Sequence, residues 1–184
     1  MLKYLSFLSV FFFQQSSAQS ISKRTADSSG NIIITTSRDT LASGTNDCRV
    51  EGLVFRSDSG KYFAFAFYLT SPKTFFLTSK DKIRIRFVDG EVCEQSAYTE
   101  GEFFTKGSEA VVTIPMSEAF MNKMYKCPIT SISLITAQLR YNIAVPPFYS
   151  NRFLTLSQYM LTMNVYDENG INWSEITSMP LPEN

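Results

Sequence analysis

The sequence predicts a mainly β fold: an antiparallel β-sandwich of about eight or nine strands, with one or two helices covering part of the sheet. A closed β-barrel is the alternative architecture. Three observations support the prediction. A strand–turn–strand pattern spans residues 82–93, a run that is apolar on both faces spans residues 62–69, and apolar residues recur at helical spacing between residues 153 and 163.

The pattern over residues 82–93 predicts a β-hairpin. Ile83, Ile85 and Phe87 alternate with basic residues, which gives a strand one buried and one solvated face. An Asp-Gly dipeptide follows at 89–90, and we expect it to supply the positive φ angles of a tight primed turn. The apolar side of this hairpin is expected to anchor the core.

The strand at residues 62–69 has no clearly polar face. Phenylalanine and leucine alternate with tyrosine and alanine along it. Such a strand is expected at the centre of a sheet, covered on both faces and paired with residues 50–55 through a turn at 56–61. The alternative is an exposed aromatic surface that binds a ligand or a partner.

The remaining strands are shorter and are predicted from β-branched residues and turn residues. The first lies at residues 31–36 and is followed by a loop over 37–47. The other predicted strands are residues 74–77, 102–105, 110–114, 129–137 and 141–145, the last closed by Pro146-Pro147.

A short helix is predicted after Pro115, which is expected to end the strand before it. Ser117 is placed to cap this helix, and the helix runs to about Tyr125. The apolar residues Phe120, Met121 and Met124 share one of its faces.

A second helix is predicted over residues 153–163, with Ser150 or Asn151 as its N-cap. The competing prediction is a terminal β-hairpin that pairs residues 161–166 with 171–176. Methionine and leucine favour helix over strand, so the helix is preferred.

The chain divides into four predicted segments. Residues 1–18 have the charged, apolar and small-residue order of a secretory signal peptide, and residues 19–30 form a flexible leader. Residues 31–177 form a single β-rich domain, and residues 178–184 form a frayed tail. We therefore expect an exported protein in the periplasm, outside the cell or at the cell surface. No integral membrane segment is expected after signal cleavage.

Three cysteines lie in the exported part, where an oxidising compartment permits a disulfide. We expect Cys93 to pair with Cys48 or with Cys127, which leaves one thiol over. The alternative is that the cysteines stay unpaired and pack as small apolar residues.

The composition excludes several kinds of chemistry. The chain has no histidine, which removes Ser-His and Cys-His nucleophile pairs and the commonest metal ligand. No glycine-rich phosphate loop occurs, and residues 167–170 match only part of a calcium loop. The 17 basic and 17 acidic residues balance, which argues against nucleic acid as a partner. No catalytic, cofactor-binding or metal-binding residue is predicted.

Five acidic residues cluster around the hairpin at 82–93. Two carboxylates at a suitable separation can cleave a glycosidic bond, but residues across from Arg84 and Arg86 are more simply explained as cross-strand ion pairs. The five residues are Asp89, Glu91, Glu94, Glu100 and Glu102.

These observations favour an exported, non-enzymatic β-domain that acts in binding, or as a structural or assembly component of the cell envelope. Its partner is expected to be a protein or a glycan, and no cofactor is expected. A carboxylate-dependent enzyme such as a glycan hydrolase is the alternative function. A subunit that donates or accepts a strand is a third hypothesis.

Overall fold

The computed structural model describes residues 21–26, 31–44, 47–57, 59–99 and 101–163. Within these residues the chain is mainly β, with antiparallel sheets, two helices and no closed barrel. The twelve described strands exceed the eight or nine that we predicted. The predicted signal peptide and frayed tail, and residues 171–176 of the competing hairpin, lie outside the described residues.

The strands are β1 (Ile21–Ala26), β2 (Ile32–Thr36), β3 (Asp39–Ala42), β4 (Cys48–Ser57), β5 (Gly60–Thr70), β6 (Phe75–Leu77), β7 (Lys82–Phe87), β8 (Val92–Ser96), β9 (Glu102–Phe104), β10 (Glu109–Met116), β11 (Ile129–Ile135) and β12 (Arg140–Ala144). The helices are α1 (Glu118–Lys126) and α2 (Pro147–Thr162).

The strands form three sheets. The large sheet has the order β1-β2-β4-β5-β10, with β3 also paired to β4. The second sheet has the order β12-β11-β7-β8, and β6 pairs with β9 in a two-stranded sheet. Strand β5 lies between β4 and β10, which confirms the prediction of a central strand. Its residues 63–67 are buried, but Tyr62, on the face opposite Phe65, is half exposed, so that face is not fully covered as predicted.

Two strands form where the sequence predicted irregular chain. Strand β1 lies within the predicted flexible leader, residues 19–30, and pairs with β2. Strand β3 lies within the predicted loop at 37–47. The side chain of Asp39 in β3 is buried and forms an ion pair with Arg152 of α2, a contact between distant parts of the chain that local composition does not indicate.

Strands β2 and β3 follow one another along the same edge of β4. Residues 53–56 of β4 pair with β2, and residues 48–50 pair with β3. Between them the Gly52 N–H donates to the Thr36 hydroxyl (2.9 Å) instead of to a backbone carbonyl. Thr36 is fully buried. Its side chain therefore bridges the gap in the ladder where the neighbouring strand changes.

The predicted hairpin at residues 82–93 is confirmed as β7 and β8, but its turn differs from the prediction. The Phe87 N–H donates to Glu91 O (2.9 Å), and the Gly90 N–H donates to Phe87 O (3.1 Å). Within this turn only Gly90 has a positive φ, +87°, and no described residue other than glycine has one. The connection is thus a three-residue loop with glycine in the left-handed position, not a two-residue primed turn.

Lys123 of α1 attaches the helix to this turn. Its ammonium lies 2.5 Å from an Asp89 carboxylate oxygen and 2.7 Å from a Glu91 carboxylate oxygen. The hydrogen bond from Lys123, with one from the Glu91 N–H, lowers the pKa of Asp89. The same two carboxylates raise the pKa of Lys123.

The short helix is confirmed with its predicted cap, since the Phe120 N–H donates to Ser117 Oγ (3.2 Å). The second helix is also confirmed, but it begins earlier than predicted. Pro147 occupies its first turn, where a missing N–H costs nothing, so Ser150 and Asn151 lie inside the helix and do not cap it.

Helix α2 packs on the inner face of the large sheet, the face that carries Phe65 and Phe67. The Phe153 ring lies 5.0 Å from the Phe65 ring and 6.3 Å from the Phe67 ring, measured between centroids. At Gly52 the helix approaches so closely that a Cβ would collide with Met160 Sδ. Buried residues of both larger sheets and both helices form one hydrophobic core.

The link after β8 reaches the free side of β10. The Tyr98 N–H donates to Thr113 O of β10 (2.7 Å). Pro115 does not end β10 as predicted, because the strand continues through Met116. Proline is tolerated there because β10 is the last strand of the large sheet, where a nitrogen that faces outward need not donate to a ladder.

Gly52→Ala is expected to lower the free energy of unfolding by about 1–3 kcal/mol through overpacking against Met160. The glycine does not have a positive φ, so collision is the only barrier to a side chain. Met160→Ala alone is expected to lower the free energy of unfolding by about 2–5 kcal/mol. In that background the methyl group added by Gly52→Ala has room, so Gly52→Ala should cause no further destabilisation. Urea denaturation of the four proteins measures this coupling, and an equal cost in both backgrounds would contradict it.

Asp89→Asn is expected to destabilise the protein at pH 7 because it removes the charge that pairs with Lys123 and keeps the oxygen that accepts from Glu91 N–H. Since folding lowers the pKa of Asp89, the stabilisation is present above its unfolded value of 3.8 and is lost as pH falls below it. Denaturation at pH 7 and pH 3 checks this. In a Lys123→Met background the substitution should have little effect at either pH.

Candidate binding groove

The outer face of the large sheet is the face opposite α2, and at one end it carries a row of apolar side chains. Ile33 of β2 pairs with Phe55 of β4, and Phe55 pairs with Tyr62 of β5. Ala64 of β5 pairs with Pro115 of β10 in the next row. Directly opposed residues share a face of the sheet, so strand register alone brings these side chains together.

These residues line a concave cavity of about 480 Å³, which we call the aromatic groove. Its floor includes Ala64, which is buried, and three aromatic rings stand around it with large exposed fractions: Phe55 at 36%, Tyr62 at 50% and Tyr98 at 79%. The lining residues are Asn31, Ile33, Phe55, Arg56, Ser57, Tyr62, Phe63, Ala64, Tyr98, Thr113 and Pro115.

Two of the aromatic residues at the groove are positioned by hydrogen bonds, Tyr98 through its backbone and Tyr62 through its hydroxyl. Tyr98 is fixed by its N–H bond to Thr113 O, and the preceding Ala97 is buried and donates to Asp81 O (2.8 Å). The Tyr62 hydroxyl donates to Ser59 Oγ (2.9 Å) in the turn between β4 and β5. The mouth of the groove therefore offers apolar ring faces with a few hydroxyl groups beside them.

The opposite end of the same face is charged and closed. The Arg38 guanidinium lies over the Tyr68 ring (3.7 Å to its centroid) and within 4.0 Å of carboxylate oxygens of Glu51 and Glu109. Arg49 also contacts Glu109, and the Tyr68 hydroxyl donates to Glu51. Burial, then the Glu51 contact, raises the pKa of Tyr68. Both carboxylates are already engaged, so this cluster stabilises the face and offers no free acid.

Among the described acidic residues singled out from the sequence, only Asp89 and Glu91 come together, at the Lys123 ammonium and outside the groove. Glu94 lies directly opposite Arg84 and forms an ion pair with it, which confirms the expected cross-strand pairing. Asp89 and Glu91 bind Lys123, Glu102 lies exposed on β9, and Glu100 is outside the described residues. Neither this groove nor the smaller cavity described next is lined by an aspartate or a glutamate.

A second cavity, of about 200 Å³, lies between α2 and the start of β11. Ser150 lines it, and its buried Oγ has no hydrogen-bond partner among the described residues. The other lining residues are mostly apolar: Val88, Pro128, Ile129, Thr130, Val145, Pro147 and Asn151. One hydroxyl group in so small a cavity is not enough to indicate a catalytic site.

The three cysteines are free, so the predicted disulfide of Cys93 with Cys48 or Cys127 is not formed. They lie on separate elements: Cys48 is buried in β4, Cys93 is half-buried in β8, and Cys127 follows α1. Burial raises the pKa of the Cys48 thiol to about 12. Cys48 therefore packs as the small apolar residue of the alternative prediction.

Among the described residues, no group of three or more His, Cys, Asp or Glu side chains is placed to hold a metal ion. Neither described helix is long and apolar enough to cross a membrane. Comparison with family models, curated proteins and solved structures finds no match. The function is therefore argued from the groove.

Sequence reasoning indicated one wall of the groove and missed the others. The alternation over residues 62–69 predicted a face with Tyr62 and Ala64, and an aromatic surface was its alternative interpretation. In the sequence, Phe55 is one of several apolar residues in the predicted strand at 50–55, and nothing distinguishes it as part of a groove. Tyr98 lies in a segment of scattered polar residues, and no local signal places it over β10.

Under native conditions, Cys93 and Cys127 are expected to react with iodoacetamide, while Cys48 reacts only after unfolding. The reason is that thiolates react, and Cys48 is both buried and held protonated. Peptide mass spectrometry of protein labelled with and without denaturant measures this. Labelling of Cys48 at the rate of the other two, or a disulfide in the non-reduced mass, would contradict it.

Proposed function

We propose that this chain is an exported, non-enzymatic binding domain whose aromatic groove takes an extended apolar protein segment. The observation that carries the proposal is the groove itself: a concave apolar surface of about 480 Å³ with three exposed aromatic rings. Aromatic residues are enriched at the energetic centres of protein interfaces, and exposed apolar patches of this kind mark interaction sites.

The shape of the groove favours a segment over a flat partner surface. Small Ala64 leaves a depression between the larger neighbours Phe55, Tyr62 and Pro115, and an apolar side chain can enter it. The backbone hydrogen bond of Tyr98 and the hydroxyl hydrogen bond of Tyr62 restrict these two residues before binding, which reduces the entropic cost of association.

Export places this binding at the cell envelope: in the periplasm, outside the cell or at its surface. The support is the signal-like order of residues 1–18. We also infer that the large sheet and the second sheet stack as a sandwich, because buried residues of both belong to one core. The proposal requires no cofactor and no nucleic acid.

A glycan is the second candidate ligand, because exposed tyrosine and phenylalanine rings can stack on sugar faces and hydroxyl groups lie beside them. The enzyme alternative has less support. It needs two carboxylates that face a substrate cavity, whereas Asp89 and Glu91 share the Lys123 ammonium, Glu94 is paired with Arg84, and none of them lines either cavity.

The test compares three forms of the mature chain: wild type, Phe55→Ser/Tyr62→Ser, and the control Phe103→Ser, which removes an exposed ring outside the groove. Each is screened against a displayed random-peptide library and a glycan array. We expect apolar peptides selected by the wild type to bind the groove variant at least tenfold more weakly and the control equally well. Selection of glycans alone would assign the groove to sugars, and equal binding by all three forms would remove the proposal.

A further inference from the structure

We propose that the outer face of the second sheet binds an extended acidic segment of a partner protein. None of the basic residues on that face lines the aromatic groove, so the inference goes beyond the proposed function. Strand register, charge and spacing support it. We call the surface the basic face, and the residues that define it are Lys82, Arg84, Arg86 and Arg140.

Strand register brings the four basic residues to one side of the sheet. Lys82 of β7 lies opposite Ile135 of β11, and Ile135 lies opposite Arg140 of β12. Directly opposed residues share a face, and alternate residues of one strand do so too. The residues between them, which project to the other side, are buried: Ile83, Ile85, Ile132, Leu134 and Ile143. The basic face is therefore the solvated side of this sheet.

The basic face carries more positive than negative charge. The acidic residue of these four strands is Glu94, which binds Arg84 and lies 3.5 Å from the Lys82 ammonium. Arg86 and Arg140 are exposed, and neither forms an ion pair with another described residue. Four cations thus share one carboxylate, so a partner that brings further carboxylates is complementary to the face.

The acidic residues on either side of β7 are engaged outside the basic face. In the turn that follows the strand, Asp89 and Glu91 bind Lys123 of α1. Before the strand, the buried Asp81 carboxylate accepts from the N–H of Thr78 (2.7 Å) within its own turn. The excess of positive charge on the face therefore remains.

The form of the basic face favours an extended chain over a small anion. Its basic residues line neither described cavity, so the surface has no recess there that would enclose a small molecule. Lys82, Arg84 and Arg86 alternate along one strand and so repeat about every 6.6–6.8 Å. An extended polypeptide repeats its own alternate side chains at the same distance. A segment with an acidic residue at every second position therefore matches the spacing of these cations.

The chemistry of the side chains favours carboxylates as ligands. Guanidinium groups donate several hydrogen bonds in a fixed plane to a carboxylate, and Arg84 already donates from both Nε and Nη2 to Glu94. Arg86 and Arg140 carry the same donors. Val92 is the one large apolar residue of this face that is exposed, so little apolar area is available to enter a lipid surface.

The test measures the binding of two fluorescent eight-residue peptides of glutamate and threonine to the mature chain. Glutamate alternates with threonine in one peptide, and the four glutamates are consecutive in the other. We expect the wild type to bind the alternating peptide several-fold more tightly, and increasingly weakly as salt is raised. Arg86→Gln/Arg140→Gln should weaken this binding about tenfold or more, because hydrogen-bonded charge pairs are lost. Fluorescence anisotropy gives the affinities, and circular dichroism checks that each variant is folded.

A matched control removes the same charge elsewhere. Lys73 and Lys106 are exposed and lie outside the second sheet, so Lys73→Gln/Lys106→Gln should bind the alternating peptide like the wild type. An equal loss in this control would show a response to net charge alone and would overturn the inference. Failure of the wild type to bind the alternating peptide, or equal binding by the arginine variant, would also overturn it.

Other polyanions and the groove are tested in the same assay. If vesicles containing anionic lipid or a sulfated polysaccharide bind the basic face more tightly than either peptide, the acidic protein segment is the wrong partner. The groove variant Phe55→Ser/Tyr62→Ser should bind the alternating peptide like the wild type, because its substitutions lie outside the basic face. Loss of apolar-peptide binding in that variant with unchanged binding of the acidic peptide supports both proposals, and each can fail without the other.

Discussion

Helix α2 lies directly on the inner face of the large sheet, and the positions of several other elements follow from that contact. Phe153 packs between rings of β5, and Met160 comes so close to β4 that only glycine fits beneath it. Arg152 binds buried Asp39 and so fixes β3. Helix α2 thus occupies part of the inner face, and the aromatic groove lies on the outer face of the same sheet.

The parts of the fold that sequence predicts well are those whose partners are close along the chain. The hairpins β4–β5 and β7–β8 join adjacent strands, and alternation with turn residues is enough to locate them. The prediction of a loop at residues 37–47, where β3 forms, and the predicted start of α2 were wrong. Asp39 belongs to a strand because Arg152 reaches it from far along the chain, and Pro147 moved the start of the helix ahead of the polar residues that resemble caps.

The groove was predictable only in the part that depends on residues close together along the chain. One face of β5 is visible in the alternation of tyrosine and alanine, but the concave surface needs four strands in register and the ring of Tyr98 from a linking segment. Phe55 joins through pairing with Tyr62, and Tyr98 through one backbone hydrogen bond to β10. Strand register across a sheet and the contacts of a linking segment depend on tertiary structure, so the local sequence does not reveal them. The ion pair of Arg84 with Glu94 lies within a single hairpin, so the local sequence predicts it.

The hydrogen bond from Tyr98 to Thr113 has a consequence for aggregation. An unpaired border strand is a template for other chains, and proteins protect such borders with proline, charge or covering segments. Strand β10 has two of these protections, Pro115 and the covering link, and β1 at the other border carries exposed Lys23 and Arg24. Addition of a foreign strand to β10 would have to displace Tyr98, the ring that also stands over the groove.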